Sequence, residues 1–284
     1  MSHFSAPVKT GLAYNSYIDT LNSAQLKDFD YIEIPFELLH YDETVLERVA
    51  KKPLILHCAS LSLAGYTEPS DVIKTAIKKW VEKTKTPWLG EHLSYILAEK
   101  LDDNLYEEYA PGEPYNIGYT VGPVMNTASV DHVIANVHRY EEMMGVPLIV
   151  ENSPLYFRAP GSTMTQLEYI NTICANSPVE LLLDLTHFYI SSRNFSFDPF
   201  AALETFPLER VREVHVSGVS TAEGLSWDNH ASKAPDIIFE LLSVVLKNAR
   251  PSAITLEYNW ASTFPWEVLQ GELEKVKETI LTCC

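Results

Sequence analysis

A (β/α)8 TIM barrel, in the α/β class, is the fold the sequence predicts, and three observations carry it. The chain has 284 residues with 46% hydrophobic content, close to the size of one such barrel and enough to bury a full core. Eight short apolar runs rich in β-branched residues recur along it. Most are followed by a segment of helical periodicity, the pattern of βα units that feed a parallel sheet.

The runs follow one another in a readable order. They are GLAYN from Gly11, YIEI from Tyr31, LILHCA from Leu54, WLGEHLSY from Trp88, LIVEN from Leu148, LLLDLTH from Leu181, VREVHVSG from Val211 and ITLEYN from Ile254. Between the third and fourth, SDVIKTAIKKWVEKT opens on a Ser-Asp cap signal and carries Val72, Ile73, Ala76, Ile77 and Trp80 at helical spacing. Before the fifth, TASVDHVIANVHRYEEMMG sets Val130, Val133, Ile134, Val137 and Tyr140 on one face and stops at Gly145, a natural C-cap. His132 and His138 read as ordinary surface residues of that helix. Ile96 to Tyr119 lacks clear periodicity and follows a strand, so it is expected to be a long loop serving as a wall or lid at the barrel mouth. No repeat or composition shift marks a second domain, so residues 1–284 are expected to form one domain with residues 279–284 as a flexible tail.

Charge excludes some functions. A net charge of −17 with pI near 4.9 repels phosphate backbones, which argues against nucleic acid as a partner. The same field favours a peptide or protein partner with basic segments. The N-terminus MSHFSAPVKT lacks the charged-then-apolar pattern of a signal peptide, and no apolar run reaches the roughly 18 residues of a membrane span, so the chain is expected to be soluble and cytoplasmic. Cys58, Cys174, Cys283 and Cys284 show neither zinc-ribbon spacing nor a secreted disulfide pattern.

The informative feature is where polar residues interrupt the apolar runs. LLLDLTHFYI places Asp184 and His187 inside a stretch that should be buried, which costs several kcal/mol unless a strong partner such as a metal ion is present. Each run from the third to the eighth carries a metal-capable side chain at or near its end: His57, then Glu91 with His92, Glu151, Asp184 with His187, His215 and Glu257. Asp228 and His230 follow in SWDNHAS, in the loop after the seventh run. In a barrel these C-terminal ends converge on one mouth. One such histidine alone would be read as a hydrogen-bonded core or loop residue, and Glu91 reads equally well as a partner behind the ligands. Six successive strands ending alike point instead to metal. Leaving Glu91 aside, four carboxylates and five imidazoles suit iron, manganese or zinc. Because a mononuclear catalytic site uses three or four protein ligands, the set has room for two or three ions, with Glu151 the natural bridge. Cys58 should point to the opposite face of its strand from His57 and is left out.

With these residues in view, LHCASLSLAG, GEHLSY, LIVENSPLY, LLLDLTHFYI, EVHVSG and TLEYNW, in this order from Leu54 to Trp260, resemble the multinuclear non-haem iron-dependent oxidases. The resemblance implies a xylose-isomerase-like TIM barrel with two or three irons, mixed-valent Fe2+/Fe3+, and dioxygen as co-substrate. His57, His92 and Glu151 would hold one ion, Glu151, Asp184, His215 and Glu257 a second, and His187, Asp228 and His230 a third. The implied substrate is a cysteine-containing, ribosomally made precursor peptide, often presented by a small partner protein that grips its leader. The chain departs from the commonest family pattern at Cys58, His187, Val219 and Ala231, where glycine, asparagine, histidine and aspartate are frequent. His187 resembles the peptide-modifying branch.

Asn152, Tyr95, Tyr156, Ser217 and Asn259 lie beside ligand positions in the sequence and are candidates for shaping a substrate pocket. The competing enzyme class is a metal-dependent hydrolase or phosphodiesterase of the AP-endonuclease type, in which a similar ligand set activates water; the acidic charge argues against it. A sugar isomerase would need a lysine or paired metal motif that the sequence does not offer. A metal-dependent peptide-binding module without catalysis is the alternative outside enzymes.

Overall fold

A computed structural model describes residues 7–49, 51–99, 114–258 and 265–283. Its strands are β1 (Lys9–Ala13), β2 (Tyr31–Pro35), β3 (Leu54–Cys58), β4 (Leu89–His92), β5 (Tyr95–Glu99), β6 (Pro114–Val121), β7 (Leu148–Glu151), β8 (Glu180–Asp184), β9 (Val211–Val216), β10 (Val219–Ala222), β11 (Leu225–Asp228) and β12 (Ala253–Leu256). The helices are α1 (Ser23–Leu26), α2 (Phe36–Tyr41), α3 (Thr44–Val49), α4 (Asp71–Thr84), α5 (Thr127–Met144), α6 (Gln166–Asn176), α7 (Leu185–Phe195), α8 (Pro199–Leu203), α9 (Asp236–Asn248) and α10 (Trp266–Cys283).

Eight strands close a parallel barrel in the order β1-β12-β9-β8-β7-β4-β3-β2. Each side chain takes one of two environments because strand residues alternate between faces. One set, including Leu12, Ile32, Leu56, Leu89, Val150, Leu183, Val214 and Ile254, packs against the helices in the large core. The other set points into the barrel, where Tyr31, Ile55, Trp88, Ile149, Leu182 and Ala253 form a separate apolar floor. Two residues beyond five of these the inward position is polar, at Glu33, His57, Glu151, Asp184 and Thr255, whereas beyond Trp88 it is Gly90, and β9 carries Glu213 and His215. The fold thus converts a period-2 pattern into an apolar base under an ionisable rim.

The helices that wrap the barrel are set by local chemistry. Ser70 caps α4 by accepting from Ile73 N, and Asn126 and Thr165 make capping boxes at the starts of α5 and α6. Gly145 ends α5 at φ 76°, a left-handed conformation that favours glycine. Burial of Ile77, Trp80 and Val81 on α4 stabilises its packing by roughly 1.5–3 kcal/mol per large side chain.

Four expectations are corrected. Of the stretch from Ile96 to Tyr119, residues 96–99 and 114–119 are strand rather than loop, paired antiparallel in β5 and β6, while residues 100–113 lie outside the described residues; Tyr115, Ile117, Tyr119 and Val121 alternate with polar or small residues, a strand signal. The tail expected at 279–284 is helical through Cys283, whose Sγ lies 3.1 Å from Ser243 Oγ on α9. Cys284 lies outside the described residues. Val72 is 72% exposed because it falls in the first turn, beyond the stripe that Ile77, Trp80 and Val81 bury. His132 is half-buried, its Nε2 2.8 Å from Gly65 O and its ring stacked on Tyr66 at 4.3 Å, whereas His138 is exposed as expected.

Candidate metal centre

Register sets the ligands at the C-terminal ends of neighbouring strands, staggered around the barrel, since Glu151 pairs with Leu182 and His57 with Gly90. His92 pairs level with Glu151, and Asp184 level with His215. Parallel neighbours therefore present their inward side chains side by side at the C-terminal mouth. Glycine makes room where the rings crowd: a Cβ at Gly90 would lie 2.8 Å from His57 Cδ2.

Three groups result, and within each the candidate ligand atoms lie within 4.8 Å of one another. In the first, Glu151 Oε2 is 2.8 Å from His57 Nε2 and 3.3 Å from His92 Nε2. In the second, His215 Nδ1 is 2.9 Å from Glu257 Oε2 and 4.0 Å from Asp184 Oδ2, with Glu151 completing the set. In the third, Asp228 Oδ2 is 3.0 Å from His187 Nε2 and 2.6 Å from His230 Nε2. The groups touch, since Glu151 belongs to two of them and Glu257 Oε1 is 3.6 Å from His230 Nδ1. All nine expected ligands are thereby brought together.

Local structure aims these side chains. Asp184 ends β8 and caps α7, its Oδ1 accepting from His187 N at 2.6 Å, so His187 stands on the first helical turn rather than on the strand. His187 Nδ1 lies 3.0 Å from Asn152 O, which turns Nε2 toward Asp228. Asp228 closes the β10–β11 hairpin. His230 follows at φ 50°, a left-handed backbone uncommon outside glycine and of the kind found at ligand clamps.

Hydrogen bonding supplies a test of whether a cation fits. Glu151 Oε1, Asp184 Oδ2 and Asp228 Oδ1 are buried and make no well-formed hydrogen bond among the described residues, Glu151 Oε1 having only His187 Nδ1 at 3.1 Å. Every group contains at least one of them. A buried carboxylate oxygen with no donor is costly, and a hard or borderline divalent cation among imidazoles and carboxylates would satisfy it. The residues present fit such an ion.

Electrostatics agree with this geometry. Burial opposes the charged His57 ring, yet the hydrogen bond and charge of Glu151 outweigh it and hold its pKa up to about 10. Burial likewise opposes charge on His230, but Glu257 and Asp228 raise it to about 9. Burial pushes Asp184 up to about 6. Glu257, despite burial, is held down to about 2 by His230 and His215.

Glu91 takes the other role open to it. Residues 91 and 92 face opposite ways, and Glu91 joins Cys58 on the outward side, accepting from Leu61 N at 3.0 Å and His92 N at 2.8 Å. Burial and the charge of Glu37 raise it to about 8. Cys58 is fully buried beside Glu37. The Asn152 amide exchanges two 2.9 Å hydrogen bonds with the backbone of Asp184. Ser217 is buried two residues beyond His215, and its Oγ has no partner among the described residues. Tyr95 is half-buried at the start of β5, and the Tyr156 hydroxyl accepts from Asp228 N at 3.2 Å. Asn259 lies outside the described residues.

Two acids escaped the sequence reading. Glu33 and Glu213 point inward beneath the rim, both buried, and their oxygens group with His215. Their signal was a charge inside the runs YIEI and VREVHV, the same one that exposed Asp184.

Next to the third group opens a cavity of about 340 Å³, walled by Tyr119, Leu155, Tyr156, Phe157, Phe188 and Phe195 among others. Tyr156 belongs to its wall and accepts from Asp228 N, so one side chain joins the cavity wall to the rim.

Comparison with known proteins places this arrangement. The sequence model of the family described as RiPP precursor modification enzyme MbnB/TglH/ChrH matches residues 9–281. A UPF0276 protein of Acinetobacter baylyi is 29% identical over 234 residues, covering 81% of this chain and 74% of that protein. Another from Shewanella sediminis is 28% identical over 232 residues, covering 80% and 76%. Among solved structures, endonuclease IV from Thermus thermophilus has a TM-score of 0.55 at 14% identity, covering 96% of this chain and 99% of that one. A D-psicose 3-epimerase from Clostridium cellulolyticum has a TM-score of 0.52 at 12% identity, covering 97% and 98%. These structures share the xylose-isomerase-like TIM barrel.

Proposed function

The chain belongs to the family of RiPP precursor modification enzymes MbnB/TglH/ChrH, and from that premise we propose that it is an iron-dependent oxidase that uses dioxygen to modify a cysteine of a ribosomally made precursor peptide. The observation that carries this reading is the sharing of ligands, with Glu151 common to two groups and Glu257 reaching toward the third. Nine ligands on one continuous rim exceed what one ion can use. They suit two or three irons, the first on His57, His92 and Glu151, the second on Glu151, Asp184, His215 and Glu257, the third on His187, Asp228 and His230.

Bound iron would supply a position for the substrate thiolate and the electrons that reduce dioxygen, cycling between Fe2+ and Fe3+. The chain's own residues do the positioning. Asn152 O holds His187 Nδ1 so that Nε2 faces the third position. Asp184 gives one oxygen to the α7 cap and keeps the other for a cation. Ser217 offers a hydroxyl without a partner among the described residues, and Tyr95 and Tyr156 are pocket candidates, as is Asn259, which lies outside the described residues. The floor side is closed, with His215 and Asp184 fully buried, whereas the Glu257 side chain is 30% exposed. Substrate therefore enters from the Glu257 side. Apolar side chains of the peptide lie in the adjoining cavity, whose exposed Tyr119, Phe157, Phe195 and Phe197 suit a peptide or a small leader-gripping partner better than a sugar or a phosphodiester.

The test is anaerobic purification with metal analysis, then addition of oxygen and a cysteine-bearing precursor peptide, followed by mass spectrometry. Two or three irons per chain, oxygen uptake that depends on the peptide, and an altered peptide mass are expected. An unchanged peptide mass at full iron loading would sink the oxidase reading and leave a metal-dependent binding module; release of phosphate or nucleotide from a nucleic-acid substrate would favour the hydrolase.

A further inference from the structure

We propose that Glu33 is a positioning residue for His215: it accepts the Nε2 proton from inside the barrel and so commits Nδ1 to the metal rim. The inference rests on the reading of the rim as a metal centre. His215 is held at both ring nitrogens. Nδ1 lies 2.9 Å from Glu257 Oε2 on the rim, and Nε2 lies 3.0 Å from Glu33 Oε2 inside the barrel. An imidazole with one nitrogen on a cation must carry its proton on the other, and a carboxylate behind that proton fixes both tautomer and ring orientation.

The competing explanation is a further cation among Glu33, Glu213 and His215, whose oxygens and nitrogen lie within 4.8 Å of one another. The partners of Glu213 argue against it. Its Oε2 accepts from Trp88 Nε1 at 2.7 Å, and its Oε1 accepts from Thr255 Oγ1 at 2.7 Å with the Tyr31 hydroxyl at 3.2 Å. Both oxygens are thus engaged by neutral donors, and Oε1 stands 3.9 Å from His215 Nε2, outside hydrogen-bond range. A cation there would keep only Glu33 and would take from His215 the proton that lets Nδ1 serve the rim. Glu213 is instead the fixed floor under Glu33. Gly11 makes that floor possible, because a Cβ at residue 11 would stand 2.2 Å from the Tyr31 ring.

The test compares wild type, Glu33→Ala and Glu33→Gln after anaerobic iron(II) reconstitution, with ions per chain and their affinities from equilibrium dialysis, and the His215 tautomer from nitrogen-15 NMR of a zinc-loaded sample. Folding of each variant is checked by circular dichroism. Glu33→Ala should weaken one class of ion on the order of 10- to 100-fold, the range for loss of a carboxylate behind a metal-bound histidine, and should mix the His215 tautomers. Glu33→Gln keeps an acceptor of the same shape, so it should restore the single tautomer and part of the affinity even if the alanine variant folds poorly. Unchanged affinity and tautomer in both variants would overturn the role of Glu33 while leaving the metal centre intact. Loss of one whole ion from wild type to Glu33→Gln would overturn it in favour of direct ligation. A wild-type chain that binds no metal would overturn both readings.

Discussion

Glu151 and Glu213 occupy the same inward face of one barrel, each paired in register with Leu182 between them, and both are buried, yet they are built for opposite ends. Glu213 is surrounded by neutral donors that engage both oxygens, and burial with the nearby charge of Glu33 raises it to about 7. Glu151 is surrounded by imidazoles, its Oε2 facing His57 and His92 and its Oε1 meeting His187 Nδ1 at 3.1 Å without hydrogen-bond geometry. Although burial works against its charge, His92, His187 and His57 hold it well below the usual carboxylate range. Completion of hydrogen bonds, more than burial, separates an acid that belongs to the scaffold from one that waits for a cation.

The contrast can be broken most sharply at Glu151. Glu151→Gln should lose the first and second ion positions, lowering affinity by more than the roughly 100-fold that bounds loss of an outer-shell partner, while His187, Asp228 and His230 retain one ion. Metal analysis on the folded variant checks this, and full loading with unchanged affinity would refute it. Glu213→Ala should do the reverse. Leaving the Trp88 and Thr255 donors unsatisfied should cost about 3 kcal/mol of stability in urea unfolding, with metal stoichiometry retained.

A graded test uses pH. In the metal-free protein His57 and His230 have pKa values raised to about 10 and about 9, and Glu91 to about 8. All three bind more protons folded than unfolded as pH rises from neutral through 10, so stability must fall over that window. Metal on the histidines should remove much of that slope, since cations then replace the protons; equal slopes with and without metal in thermal unfolding would contradict the comparison. The smallest expected effect is at Gly90. A methyl there pushes on His57, so Gly90→Ala should weaken the first ion by about tenfold, about 1.4 kcal/mol, with the third group unaffected.

Much of this was legible before any coordinates. The eight runs became the eight barrel strands, and the nine polar residues that interrupt or follow them meet at one mouth because parallel register makes neighbours of distant positions. Period 2 alone separates Glu91 from His92, since adjacent residues face opposite ways. Glu33 and Glu213 were harder to see because they stand mid-strand, where attention to strand ends passes over them. The β5–β6 hairpin was hidden by the continuity of WLGEHLSY, which in the fold breaks at Leu93 and Ser94 into a barrel strand and an arm outside the barrel. Nothing local in residues 279–283 announces their helix, which gains its support from α9.

The strand-borne ligands at the mouth have a consequence for how such a chain can change. Lengthening a connecting segment that carries no ligand leaves the rim intact, unlike the β10–β11 hairpin with Asp228 and His230, but one residue inserted within β3, β7 or β9 would turn His57, Glu151 or His215 toward the helices. Substrate preference can therefore drift through the connecting segments while the phase of each strand acts as a lock that only paired edits could open.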